Sequence, residues 1–188
     1  MYTADIRKQP RQYVPADFVL TDWAGLEPYF KELLEREIND RAALETWLLQ
    51  LSELEAVVSE DACWRQIRMT CDTTDPALEE AFNYFCTQIQ PQLQQYADAL
   101  NKKLLNHPLA DTLDQRTYFT YLRNIRKSID LFREENIPLQ SELAVKQQQF
   151  GVITGAMTVE INGNEYTLQQ ASKFLEHPDR RLREEAYR

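Results

Sequence analysis

The chain has 188 residues with 2 His, 3 Cys and 4 Gly, 43% hydrophobic and 27% charged residues, and a net charge of −9. This is enough chain to bury a substantial core without disulfides or metals, and the composition is that of a globular protein rather than a disordered one. The two histidines, His107 and His177, are each followed by proline, and no His-Glu-x-x-His run or closely spaced cysteine pair occurs. A zinc hydrolase site therefore cannot be assembled here from the usual local motifs.

The start, Met1 followed by Tyr2 to Lys8, has no apolar core segment of a secretory signal, and no 18-residue apolar run could span a membrane. The odd count of cysteines (Cys63, Cys71, Cys86) fits a reduced, cytoplasmic compartment, with the thiols expected on buried apolar helix faces. Residues 17–61 carry twelve acids and three bases, so the charge imbalance is concentrated there. Such a surface repels phosphate backbones. Arg116, Arg123, Arg126 and Lys127 are the one basic counterweight, and they read as a solvated helix face. Neither nucleic acid nor membrane is expected as a partner.

No glycine occurs between Leu26 and Phe150, as expected of a helical bundle. Residues 1–20 read as an extended arm. Trp23, Leu26, Phe30, Leu33 and Leu34 step at the helical period behind a Thr21 or Asp22 cap. Asn39-Asp40 restarts the chain, and a stripe of Leu44, Trp47, Leu48, Leu51, Leu54 and Val58 follows, predicted to continue through Trp64 and Ile67 to about Thr70. Asp75-Pro76 is a cap followed by a first-turn proline. From Leu78 to Leu104 the apolar phase is kept across Pro91, which predicts one long helix kinked there. Tyr118, Tyr121, Leu122, Ile125, Ile129 and Phe132 mark the next helix, and Leu139, Leu143, Val145 and Phe150 one that frays into Gly151 and Gly155.

The period then changes. Thr158 to Ile161 alternates, Asn162-Gly163 suits a type I′ turn, and Glu165 to Thr167 alternates again, predicting a hairpin. Thr167 and Gln170 form a capping box opening a helix to about Glu176. Pro178-Asp179 begins a last helix, whose Leu182 and Ala186 stripe reads as unfinished at Arg188, so the chain is expected to be a piece of a longer one. The expected fold is mainly α: a helical bundle lobe over 21–150 with long antiparallel helices, then over 151–188 a small β-hairpin and the start of a further helical region.

Several side chains are candidates for chemistry. His107 and His177 are possible metal ligands, but lack a third nearby donor and read as helix-end residues. Tyr118, Tyr121 and Tyr166 are candidates to line a peptide channel. Glu53, Glu55, Glu60 and Asp61 are candidates to attract peptide N-termini, with a solvated acidic face as the simpler reading. Asp72 and Asp75 lack the glycine-containing loop of a calcium site and read as caps. The Gly151/Gly155 segment lacks the Lys-Ser/Thr of a phosphate cradle and reads as a helix end. No residue is assigned as catalytic, cofactor-binding or metal-binding.

Taken in order, these features resemble a known family. Trp23-Ala24-Gly25-Leu26-Glu27-Pro28-Tyr29-Phe30, Leu44 to Leu48, Leu51 to Leu54, Met69 to Asp75, Ile89-Gln90-Pro91, Asn136-Ile137-Pro138-Leu139 with Phe150, the hairpin, and Pro178 to Tyr187 are similar to the N-terminal region of the oligoendopeptidase F branch of the thimet oligopeptidase family of zinc metallopeptidases. The resemblance implies a lobe over a deep channel that admits short, unfolded peptides. The zinc, its His-Glu-x-x-His helix and its further Glu ligand would lie downstream, in a catalytic region expected to pack on this lobe. It implies no cofactor within these residues and no peptidase activity for them alone. The alternative is a non-catalytic helical protein-interaction module.

Overall fold

The computed structural model describes residues 11–188, so the first half of the expected arm, residues 1–10, lies outside the described residues. Eight α-helices and one hairpin follow in the order the sequence predicts. They are α1 (Trp23–Glu35), α2 (Arg41–Cys71), α3 (Pro76–Tyr84), α4 (Gln90–Asn106), α5 (Gln115–Leu131), α6 (Asn136–Ala156), β1 (Thr158–Ile161), β2 (Asn164–Thr167), α7 (Leu168–Ala171) and α8 (Arg180–Tyr187).

The helix starts are set by short acidic and hydroxyl side chains. Asp22, Asp40, Asp75, Asp114, Thr167 and Asp179 each accept from a backbone N–H of the first turn they precede, supplying partners to donors that a helix cannot satisfy internally. Thr167 and Gln170 complete the reciprocal capping box.

One helical path runs from Pro76 to Asn106, and the irregularity ahead of Pro91 is a π turn over Phe85–Ile89, closed by Gln90 N–H donating to Phe85 O. A proline has no N–H and crowds the carbonyl four residues back. The wider turn absorbs that mismatch without ending the helix. It also keeps Phe85, Cys86 and Ile89 buried on one side.

α2 packs against α1 and α3, and α4 packs against α1, α5 and α6. Trp47, Leu26, Leu33, Leu44, Leu54, Ile89, Leu100 and Leu104 are fully buried. Trp47 donates through Nε1 to Leu33 O at 2.8 Å, and Lys103 of α4 donates to the carbonyls of Leu33 and Leu34, each at 2.9 Å. Together they satisfy carbonyls near the end of α1 that lack intrahelical donors.

Arm residues 11–20 are pinned to the bundle. Val14 and Leu20 are buried, and Glu53 accepts from the backbone N–H groups of Gln12, Tyr13 and Val14 at 2.8–2.9 Å. Arg65 ties the arm to α3, donating to Leu20 O and Ala81 O while paired with Asp61 at 2.6 Å.

Three expectations are corrected. The helix of α2 continues past Val58, but its buried stripe does not: Trp64 and Ile67 are exposed and only Met69 is buried beyond Val58. With 3.6 residues per turn, Trp64 and Ile67 fall on the side of α2 away from the Leu44-to-Val58 stripe, whereas Met69 returns to it; the 31 residues of α2 also outreach the 13 of α1, leaving an overhang. Cys63 and Cys71 lie on this overhang and are exposed; of the three thiols only Cys86 is buried. Finally, α6 does not fray at its glycines but runs through Gly151 and Gly155 to Ala156. Leu139, Leu143 and Phe150, the apolar positions that mark this helix in the sequence, are exposed.

The hairpin pairs Thr158 with Thr167 and Ile161 with Asn164. Its turn places Asn162 at φ 53° and Gly163 at φ 74°, the left-handed pair a type I′ turn needs. Ile161 and Ala171 are buried, and Tyr166 meets Phe174 edge-on at 5.0 Å, giving the segment a small core of its own.

Candidate functional site

A cleft of about 350 Å³ lies between the overhanging end of α2, Phe82 of α3, and α6. Gln66, Thr70 and Thr73 line one wall; Gln147, Gln148 and Thr154 of α6 line the other; Gln169 of α7 borders it. Met69, Phe82 and Ala144 supply its apolar surface, and none of the described residues lining it is charged.

Helical spacing explains how α6 builds this wall. Ala144, Gln147, Gln148, Gly151, Thr154 and Gly155 fall at steps of three and four and share a face. Gln148 is the one buried polar residue among those described, at 4% exposure, and neither its Nε2 nor its Oε1 has a hydrogen-bond partner among the described residues. A Cβ placed on Gly151 would meet nothing within 4 Å, and one on Gly155 would meet only Thr73 Oγ1, at 3.8 Å.

A second, open groove is lined by Phe30, Glu55, Val58, Ser59, Leu93 and Ala97. Glu55 keeps solvent-facing surface, yet the protein crowded around it raises its carboxyl above the ordinary range. Tyr121 of α5 is pushed up to about 12 by burial and by the negative charge of Glu55.

The residues singled out in sequence do not converge on one site. His107 Nδ1 accepts from Leu109 N–H at 3.2 Å, and His177 Nδ1 from Asp179 N–H at 3.1 Å, so each caps the turn that follows it. Glu53 anchors the arm and Asp61 pairs with Arg65. Glu60 meets Arg11 at 3.5 Å. Asp72 accepts from Thr74 and Asp75 from Ala77, as caps do. Tyr118 packs half-buried against the core, and Tyr166 packs in the hairpin unit. Glu55 acts electrostatically on Tyr121, and Asp72 accepts from the backbone of Asp75. Arg116, Arg123, Arg126 and Lys127 are exposed along α5.

Among the described residues, no group of three His, Cys, Asp or Glu side chains is placed to hold a metal ion. The donor set needed for the zinc implied by the resemblance is therefore not found among them. Nor is any helix among the described residues long and apolar enough to cross a membrane.

The Gln148 cleft was missed in sequence because its residues are individually unremarkable. The signal available was the spacing of small and amide side chains, Ala144, Gln147, Gln148, Gly151 and Gly155, on one face of α6. Read as the end of a helix, the two glycines hid it.

Arm, bundle and cleft define a mainly helical lobe with a neutral, amide-lined cleft on one side. A family model for the peptidase M3 N-terminal domain matches residues 15–132, from the pinned part of the arm to just beyond α5. The chain belongs to the peptidase M3, or thimet oligopeptidase, family, and this is an N-terminal region of that family. Neither the curated proteins nor the solved structures gave a match.

Proposed function

We propose that this chain is the N-terminal lobe of an oligoendopeptidase F-like zinc metalloendopeptidase that hydrolyses short peptides in the cytoplasm. The lobe forms part of the wall of the substrate channel. The zinc and its ligands belong to a catalytic region that packs on it.

The family match carries the peptidase assignment. The outward face of α6 supports a covering region. Leu139, Leu143, Phe150, Ile153 and Met157 are all about half exposed or more, and they recur at steps of four, seven, three and four, a heptad spacing with Lys146 at the one skipped position. That is the seam of a helix built to pack against another. A contiguous apolar stripe left open is the mark of an interaction surface.

The test is a pair of assays on a short fluorogenic peptide. The 188-residue chain is expected to cleave nothing and to bind no stoichiometric zinc. The chain extended through the downstream reading frame is expected to show chelator-sensitive cleavage. Chelator-sensitive cleavage by the 188 residues alone, or a frame beyond Arg188 that encodes no His-Glu-x-x-His, overturns the reading in favour of another arrangement, the interaction module included.

A further inference from the structure

We propose that the cleft at Gln148 is a binding site for the backbone of an extended peptide strand, held by the Gln148 carboxamide. The proposal rests on the peptidase-lobe reading for the source of the ligand, and adds to it a site, a gripping residue and a mode of recognition.

The first observation is the orphaned amide. Gln148 is 4% exposed, lines the cleft, and has both Nε2 and Oε1 without a partner among the described residues. Buried polar groups are nearly always hydrogen-bonded, and one planar donor–acceptor pair left open defines what would complete it. In an extended strand, the N–H and C=O of a single residue point to the same side. A carboxamide offers one N–H and one C=O side by side, the complement of that pair.

The second observation is independent of the first. Gly151 and Gly155 sit within a helix, where glycine is unfavourable relative to alanine. Nothing in the chain packs close enough to require either: an added Cβ finds open space at Gly151 and an ordinary contact at Gly155. Glycines on such a face let another backbone approach closely, and they lie one and two turns from Gln148.

The third is electrostatic. With no charged residue among the described lining, the cleft offers nothing to a peptide's terminal ammonium or carboxylate. It favours the neutral middle of a chain. Its volume, about 350 Å³, is at the small end of ligand sites, which run from about 300 to 1,000 Å³, and suits a short segment rather than a folded partner.

The experiment uses the 188-residue chain labelled with ¹⁵N and a neutral peptide of alternating alanine and serine, acetylated and amidated at its ends. Titration is expected to shift the Gln148 side-chain NH₂ resonances saturably, with little dependence on salt. Gln148→Leu, which keeps bulk but removes both polar atoms, is expected to weaken binding at least tenfold while the thermal midpoint stays the same or rises. Gly151→Leu leaves the amide in place but fills the cleft, and is expected to abolish binding with the fold intact by circular dichroism.

Absence of a saturable shift in the folded chain overturns the site, as does equal affinity in both variants. Either result leaves the peptidase-lobe reading standing, because that is tested by turnover in the extended chain. Conversely, saturable binding here combined with no turnover there overturns the peptidase reading and keeps the site.

Discussion

Glu53 shows how one carboxylate organises a terminus. Partial burial works to raise its pKa, but the three backbone N–H groups of Gln12, Tyr13 and Val14 outweigh it and hold the carboxyl below its ordinary 4.5. A carboxylate whose folded pKa is depressed stabilises the fold fully above its unfolded value, and that stabilisation is lost as pH falls through the folded value. Glu53→Gln is therefore expected to cost about 1–3 kcal/mol at neutral pH, the scale of hydrogen bonds to a charged group. It should also flatten the loss of stability below pH 4.5 in acid titrations of the thermal midpoint. An unchanged acid limb would show that the arm is held by Val14 and Leu20 alone. Lys103 plays the matching role at the end of α1, where burial lowers its pKa while the ammonium donates to Leu33 O and Leu34 O. Lys103→Met leaves Leu34 O without this donor and Leu33 O with Trp47 Nε1, and is expected to cost about 1–3 kcal/mol in urea unfolding at neutral pH.

At the scale of elements, the turn between β1 and β2 and the two faces of α6 are the informative cases. Asn162-Gly163 and the alternation around it predicted the hairpin because a type I′ turn demands positive φ at two neighbouring residues. Gly163 stands at φ 74°, so Gly163→Ala forces a side chain into a strained conformation. It is expected to cost about 1 kcal/mol or more, read as loss of the cross-strand proximities Thr158–Thr167 and Ile161–Asn164 by NMR. In α6, by contrast, periodicity gave the helix but not its orientation. An apolar stripe ordinarily faces the core. Here Leu143, Phe150 and Ile153 face outward while Ala144 and Gln148 face the cleft.

Across the whole molecule, the core and the open stripe respond oppositely to the same kind of change. Leu54 is fully buried among α2's neighbours, and Leu54→Ala is expected to destabilise by about 2–5 kcal/mol through the cavity it leaves. Leu143→Gln combined with Phe150→Gln touches residues that are 56% and 67% exposed. That pair is expected to change stability by no more than about 1 kcal/mol in urea unfolding. A large drop in the thermal midpoint from the stripe variant would mean that α6 packs by this face after all.

The sequence by itself determined the element order, the caps and the hairpin. These depend on neighbours within four residues along the chain: Asp40 on the N–H groups just after it, Thr167 and Gln170 on each other, Asn162-Gly163 on their own backbone angles. It also carried the family resemblance, because that lies in an ordered series of local features. Burial followed the helical phase: Trp64 and Ile67 lie on the side of α2 away from the Leu44-to-Val58 stripe and are exposed, whereas Met69 returns to that stripe and is buried. Only the tertiary structure decided which face of α6 turns inward and left the Gln148 amide unpaired, because an unsatisfied hydrogen bond depends on every group that packs around it. The same holds for the scattering of the candidate acids: Glu53, Asp61 and Glu55 are close in sequence, yet one anchors the arm, one pairs with Arg65, and one lines the groove with Phe30 and Leu93.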